Sequence, residues 1–99
     1  MSKETPEIEV FMVHGTFAKD AEWIGSSSKI SRRITQSTSA QTIPFLWSGK
    51  NSHQARAKAA TKLADQLMHA ANRQRRVAII AHSHGGNVAL GAIRLLKGA

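Results

Sequence analysis

Three short apolar runs, alternating with stretches of helical character, constrain this chain more than any other feature. Residues 8–13 (IEVFMV), 42–47 (TIPFLW) and 76–81 (RVAIIA) have the length and β-branched or aromatic content of strands. Between the first two, residues 22–34 carry Trp23, Ile24, Ile30 and Ile34 at helix-like spacing, interrupted by Gly25 and a run of serines. Ser52 is placed to cap a long helix over 53–71, with alanines, Leu63, Leu67 and Met68 as its buried stripe. Residues 86–96 (GNVALGAIRLL) read as a last helix. The order β-α-β-α-β-α predicts one α/β domain over 1–99, with a parallel sheet and helices on its faces. Pro44 cannot donate to a ladder, so the second strand is expected at an edge. RVAIIA is apolar almost throughout, as expected of a strand covered on both faces.

The turn after the third run has its own chemistry. Ala81-His82-Ser83-His84-Gly85-Gly86 joins a strand to a helix, the setting of the small-x-Ser-x-Gly nucleophile elbow. Such a turn holds the serine in a strained backbone conformation and brings the residues two before and two after it together. Both must be small, and Ala81 and Gly85 meet that requirement. The hydroxyl of Ser83 would stand at a helix N-terminus, where the dipole favours developing negative charge. Val13-His14-Gly15-Thr16 follows the first strand. Acyl transfer needs two N–H donors aimed at an oxyanion, one after the nucleophile (His84) and one from the loop of an adjacent strand. Gly15 followed by the N–H of Thr16 fits the second role.

Together these motifs resemble the α/β-hydrolase family over nearly the whole chain. IEVFMVHGTFA is similar to that family's strand and oxyanion loop, and RVAIIAHSHGGNVAL to its elbow strand and helix. FLWSGKNSHQAR resembles a segment of bacterial esterase- or lipase-like members. The resemblance implies a partial α/β-hydrolase fold: a three-layer sandwich whose three strands lie in the order 2-1-3. It implies Ser83 as nucleophile and the backbone N–H groups of Thr16 and His84 as the oxyanion hole. Phe17, Trp47 and Ser48 would line the substrate pocket, at the carboxyl ends of the strands. His14, Gly15, Ala81 and Gly85 would support them. The implied reaction is hydrolysis of carboxylic or lipid esters through an acyl-enzyme, with no cofactor and no metal.

The family places an acid and then a histidine after the serine. Here only His84 follows Ser83, and no acid does. His84, next to the nucleophile and projecting away from it, is a poor base. Residues 1–99 are therefore expected to be the N-terminal part of a longer hydrolase, or a truncated product with little or no turnover. The alternative is a non-catalytic remnant that binds a partner through an exposed sheet edge or its basic surface.

Composition narrows the remaining classes. The absence of cysteine excludes disulfides and thiolate metal sites. The five histidines include His14, His82 and His84 near the expected elbow, but no carboxylate or thiolate accompanies them and the sharp turn splays two of them, so no metal site is expected. Asp20 and Glu22 are placed to favour the N-terminus of the first helix. A net charge of +8 raises nucleic-acid binding. The cations are scattered, though, and no tyrosine accompanies them, so a solvated basic surface is expected. Arg73, Arg75 and Arg76 cluster where a helix should end, a position that cations favour. No signal peptide opens the chain and no apolar run could span a bilayer, so a cytoplasmic location is expected.

Overall fold

The computed structural model describes residues 8–15, 25, 28–37 and 40–97. The elements run β1 (Ile8–Val13), α1 (Lys29–Ser37), β2 (Ala40–Phe45), α2 (His53–Asn72), β3 (Arg76–Ala81) and α3 (Gly85–Lys97). All strand pairs are parallel, and the order is β2-β1-β3. Val10 of β1 stands between Thr42 of β2 and Ala78 of β3. The α/β class and the 2-1-3 order expected from the sequence are therefore present.

Strand alternation divides β1 between two layers. Phe11 and Val13 face a core built with Phe45, Trp47, Leu63, Leu67, Val88 and Ala92, from β2, the loop after it, α2 and α3. Val10 and Met12 face the opposite side, with Ile34 of α1 against them. Met12, Val13, Phe45 and Leu63 are almost wholly enclosed. Each such side chain contributes about 1.5–3 kcal/mol of burial free energy. No helix among the described residues is long and apolar enough to cross a membrane.

The helix expected over 22–34 is displaced. Its described part starts at Lys29, because Ser28 caps it: the Ser28 hydroxyl accepts from the Ser31 N–H at 3.1 Å. Ile30 is exposed and Ser31 is buried, so of the described apolar marks Ile34 lies on its inner face and Ile30 does not. Trp23 and Ile24 lie outside the described residues. β2 begins and ends two residues earlier than its apolar run, and Pro44 does sit on an edge strand. Leu46 and Trp47 leave the ladder, which frees the Trp47 N–H for a bond described below. Ser52 caps α2 through its hydroxyl, which accepts from the Ala55 N–H at 3.1 Å. Leu63 and Leu67 are buried as expected, but Met68 is exposed, one 100° step off their stripe.

The largest correction concerns β3. Its boundaries match the apolar run, yet it is not covered on both faces. It is the second edge strand, and five of its six residues are exposed.

A buried carboxylate anchors the amino end of the sheet. Glu9 shares the inner face with Phe11 and Val13 and is 3% exposed. One Arg73 Nη2 lies 2.9 Å from both of its oxygens, and Arg75 Nε lies 3.4 Å from Oε2. Arg73 and Arg75 thus do more than complement the dipole of α2: they tie its C-terminus to the central strand.

Candidate functional site

The site is built where β3 turns into α3. Ala81 closes the ladder opposite Val13, and the His82 N–H still donates to the Val13 carbonyl at 3.2 Å. The chain then reverses within a few residues. The Gly85 N–H donates to His82 O and the Gly86 N–H to Ser83 O, both at 2.9 Å. Ser83 takes φ 57°, in the left-handed region. For a residue with a Cβ this conformation costs about 1–2 kcal/mol.

Two glycines make room for the turn. A Cβ on Gly85 would lie 2.5 Å from His14 O and 2.7 Å from Val13 O, an impossible approach to backbone atoms. A Cβ on Gly15 would lie 2.9 Å from His82 O and 3.0 Å from the Ser83 Cβ. The end of β1 and the turn after β3 are therefore pressed together, and only glycine fits on either side. Ser83 is solvent-exposed beside this contact. Among the described residues its hydroxyl has no hydrogen-bond partner, and the His84 N–H donates to no acceptor. A free hydroxyl and a free N–H thus stand on adjacent residues at the N-terminus of α3, where the helix dipole favours negative charge.

His14 fixes the other side. Its ring is fully buried and stacks on Trp47, with centroids 5.3 Å apart and planes 10° from parallel. Its Nε2 accepts from the Trp47 backbone N–H at 3.2 Å. That leaves Nδ1 as the ring N–H, which donates to Gly15 O at 2.9 Å. The Trp47 indole returns a bond to His14 O at 3.0 Å. These bonds lock the carboxyl ends of β1 and β2 together and commit His14 to the scaffold. Chain comparisons with known protein families, curated proteins and solved structures find no match.

The structure brings Ser83, His84, Gly85, Ala81, Gly15 and His14 to one end of the sheet. Trp47 joins them through His14. Ser48 lies further out, where it and Trp47 line a cavity of about 390 Å³ beside α2. Thr16 and Phe17, expected as oxyanion donor and pocket wall, lie outside the described residues. So do Asp20 and Glu22. The described carboxylates are Glu9, held at the opposite end of β1, and Asp65, on the exposed face of α2 beside His69. Neither lies at the turn: Glu9 pairs with arginines, and the contact of Asp65 with His69, at 3.9 Å, stands on the exposed surface of α2. Nor do any three His, Asp and Glu side chains among the described residues converge as a metal site would require.

Sequence reasoning did not single out Glu9. The signal was available: a carboxylate at an inward position of an otherwise apolar strand implies a buried cationic partner. The lysines around the cavity were read only as scattered surface charge, although Lys58 and Lys62 stand one helical turn apart.

Proposed function

We propose that the turn at Ser83 is the nucleophile elbow of a serine hydrolase of α/β-hydrolase type, acting on carboxylic or lipid esters. One observation carries this reading: Ser83 holds a left-handed backbone between a parallel strand and a helix. Serine gains nothing structurally from that conformation, since glycine would adopt it without strain. Strain kept at an exposed hydroxyl is what a nucleophile elbow requires. The close approach of Gly15 and Gly85, and the free His84 N–H, support the same reading. In the reaction Ser83 Oγ would attack the ester carbonyl, the hydroxyl proton would pass to the departing oxygen so that the alcohol leaves, and water would then release the acid from the acyl-enzyme and restore the Ser83 hydroxyl. The His84 N–H would stabilise the oxyanion, and the Thr16 N–H is the proposed second donor. The base and acid of the triad are not among the groups assembled here.

The test uses the protein purified from its native source, treated with a fluorophosphonate and mapped after trypsin digestion. Residues 77–94 form one tryptic peptide in which Ser83 is the sole hydroxyl. The expected result is a phosphonyl adduct on that peptide, lost in Ser83→Ala. Labelling elsewhere, unchanged by Ser83→Ala, would overturn the proposal. A second reading, a partner-binding module without catalysis, is favoured by one observation: Val77 and Ile80 of β3 are 36% and 38% exposed. An unlabelled Ser83 would give that reading precedence.

A further inference from the structure

The cavity beside α2 has a composition that the elbow does not explain. It is lined by apolar Leu46 and Trp47 after β2 and Ala55 and Ala59 of α2, together with Lys50, Lys58 and Lys62. Lys58 and Lys62 are neighbours on one helix face, a like-charge pair that is unfavourable in the absence of a counter-charge. Among the described residues no carboxylate pairs with any of the three; the ion pairs formed are those of Glu9 and Asp65. The Lys62 ammonium is held over the Phe45 ring, 5.9 Å from its centroid, at the carboxyl end of β2. The first turn of α2 contains no acidic residue, so its dipole adds to the positive potential. At about 390 Å³ the cavity is within the size range of small-molecule sites.

We propose that this cavity binds the anionic end, phosphate or carboxylate, of an amphiphilic ligand, and that this ligand is the ester substrate. The ligand's role as substrate rests on the Ser83 reading; its binding here does not. Ser83 follows β3, whereas the cavity borders β2 on the far side of β1. Two strand spacings, roughly 10 Å, lie between β2 and β3 across the sheet. The anion and the scissile carbonyl then belong to opposite ends of one molecule, with its apolar part against Leu46, which is 52% exposed at the cavity wall. Nucleic acid fits the cavity less well. Its aromatic, Trp47, is buried and already stacked on His14, so it offers no face to a base.

Calorimetric titration with decyl phosphate below its micelle concentration tests the site. Inorganic phosphate, a neutral decyl glycoside and a short single-stranded RNA serve as comparison ligands. Decyl phosphate is expected to bind at least about tenfold more tightly than the other three. Lys58→Gln/Lys62→Gln, a double variant of exposed side chains, should weaken it by about tenfold or more. Ser83→Ala should bind as the parent does. Equal binding of the neutral glycoside, or unchanged affinity in the double variant, would overturn the proposal. Equal binding of inorganic phosphate would overturn the amphiphile, and tight RNA binding lost in the double variant would overturn it in favour of a nucleic-acid face. A fluorophosphonate adduct on Ser83 without decyl phosphate binding would sink this inference and leave the elbow standing. Binding without an adduct would do the reverse.

Discussion

At the scale of single residues, two side-chain-bearing positions among the described residues adopt left-handed backbone, and they do so for different reasons. Gln74, at φ 64°, terminates α2. The Gln74 N–H donates to Ala71 O at 2.8 Å and the Arg75 N–H to Ala70 O at 3.1 Å. These two bonds form a Schellman cap, which satisfies carbonyls that the helix leaves open. Ser83 has no helix to terminate; it begins one, where left-handed backbone serves no cap. Its strain is therefore expected to be removable without structural loss. Ser83→Gly should raise stability by about 0.5–1 kcal/mol, since relief of the Cβ clash exceeds the added unfolded-state entropy. Ser83→Ala, which keeps the Cβ, should leave stability nearly unchanged. Both would be read from urea midpoints at constant slope. A lower midpoint in Ser83→Gly would mean that the serine side chain stabilises the turn, and the argument for a strained nucleophile would lose its ground.

At the scale of elements, what the sequence disclosed was whatever depends on local pattern. The strand 8–13 and the strand 76–81 were legible to the residue, because apolar runs of that length end in His-Gly or Ala-His-Ser turns. The cap at Ser52 was legible because a serine hydroxyl before a helical stripe has one good use. The tight turn from strand to helix at Ser83 could be read too, although the contact that requires glycine at 85 is with the carbonyls of Val13 and His14, on the neighbouring strand. What depends on a third element was not legible. The exposure of β3 follows from its place at an edge, which its own residues do not announce. The Trp47–His14 lock needs β1 and β2 side by side, and the Glu9–Arg73–Arg75 cluster needs α2 to return to the foot of β1. That cluster carries its own expectation. Glu9→Gln removes the buried negative charge that lies 2.9 Å from Arg73 Nη2 and 3.4 Å from Arg75 Nε, at a cost of about 1–3 kcal/mol. Arg73→Ala should cost less, because the Arg73 side chain is 52% exposed and water already solvates it. Thermal melts of the two variants give the ranking, and an equal or reversed order would show that the anchor works through Arg73 alone.

At the scale of the molecule, the sheet is guarded on one edge and open on the other. β2 presents Pro44, which has no N–H to offer, and α1 packs beside it. β3 presents no such guard. Val77 is exposed on the face toward α2 and α3, and Ile80 on the opposite face, where it borders Ile30. Ile93 of α3, 40% exposed, extends the apolar surface beside Val77. An apolar, unguarded strand edge among the described residues is a template for association with another chain. Copies carrying a net charge of +8 repel one another, and that repulsion opposes the pairing. Salt shortens the range of the repulsion and leaves burial of Val77 and Ile80 intact, so association should strengthen as ionic strength rises from about 0.05 M to about 0.5 M. Binding of an anion to Lys50, Lys58 and Lys62 should weaken over the same range, because there the charges attract. Sedimentation velocity on the 99-residue chain checks the first trend, with Val77→Lys expected to keep it monomeric at both salt concentrations. Association that falls with salt, or that survives Val77→Lys unchanged, would place the contact on a charged surface and away from β3.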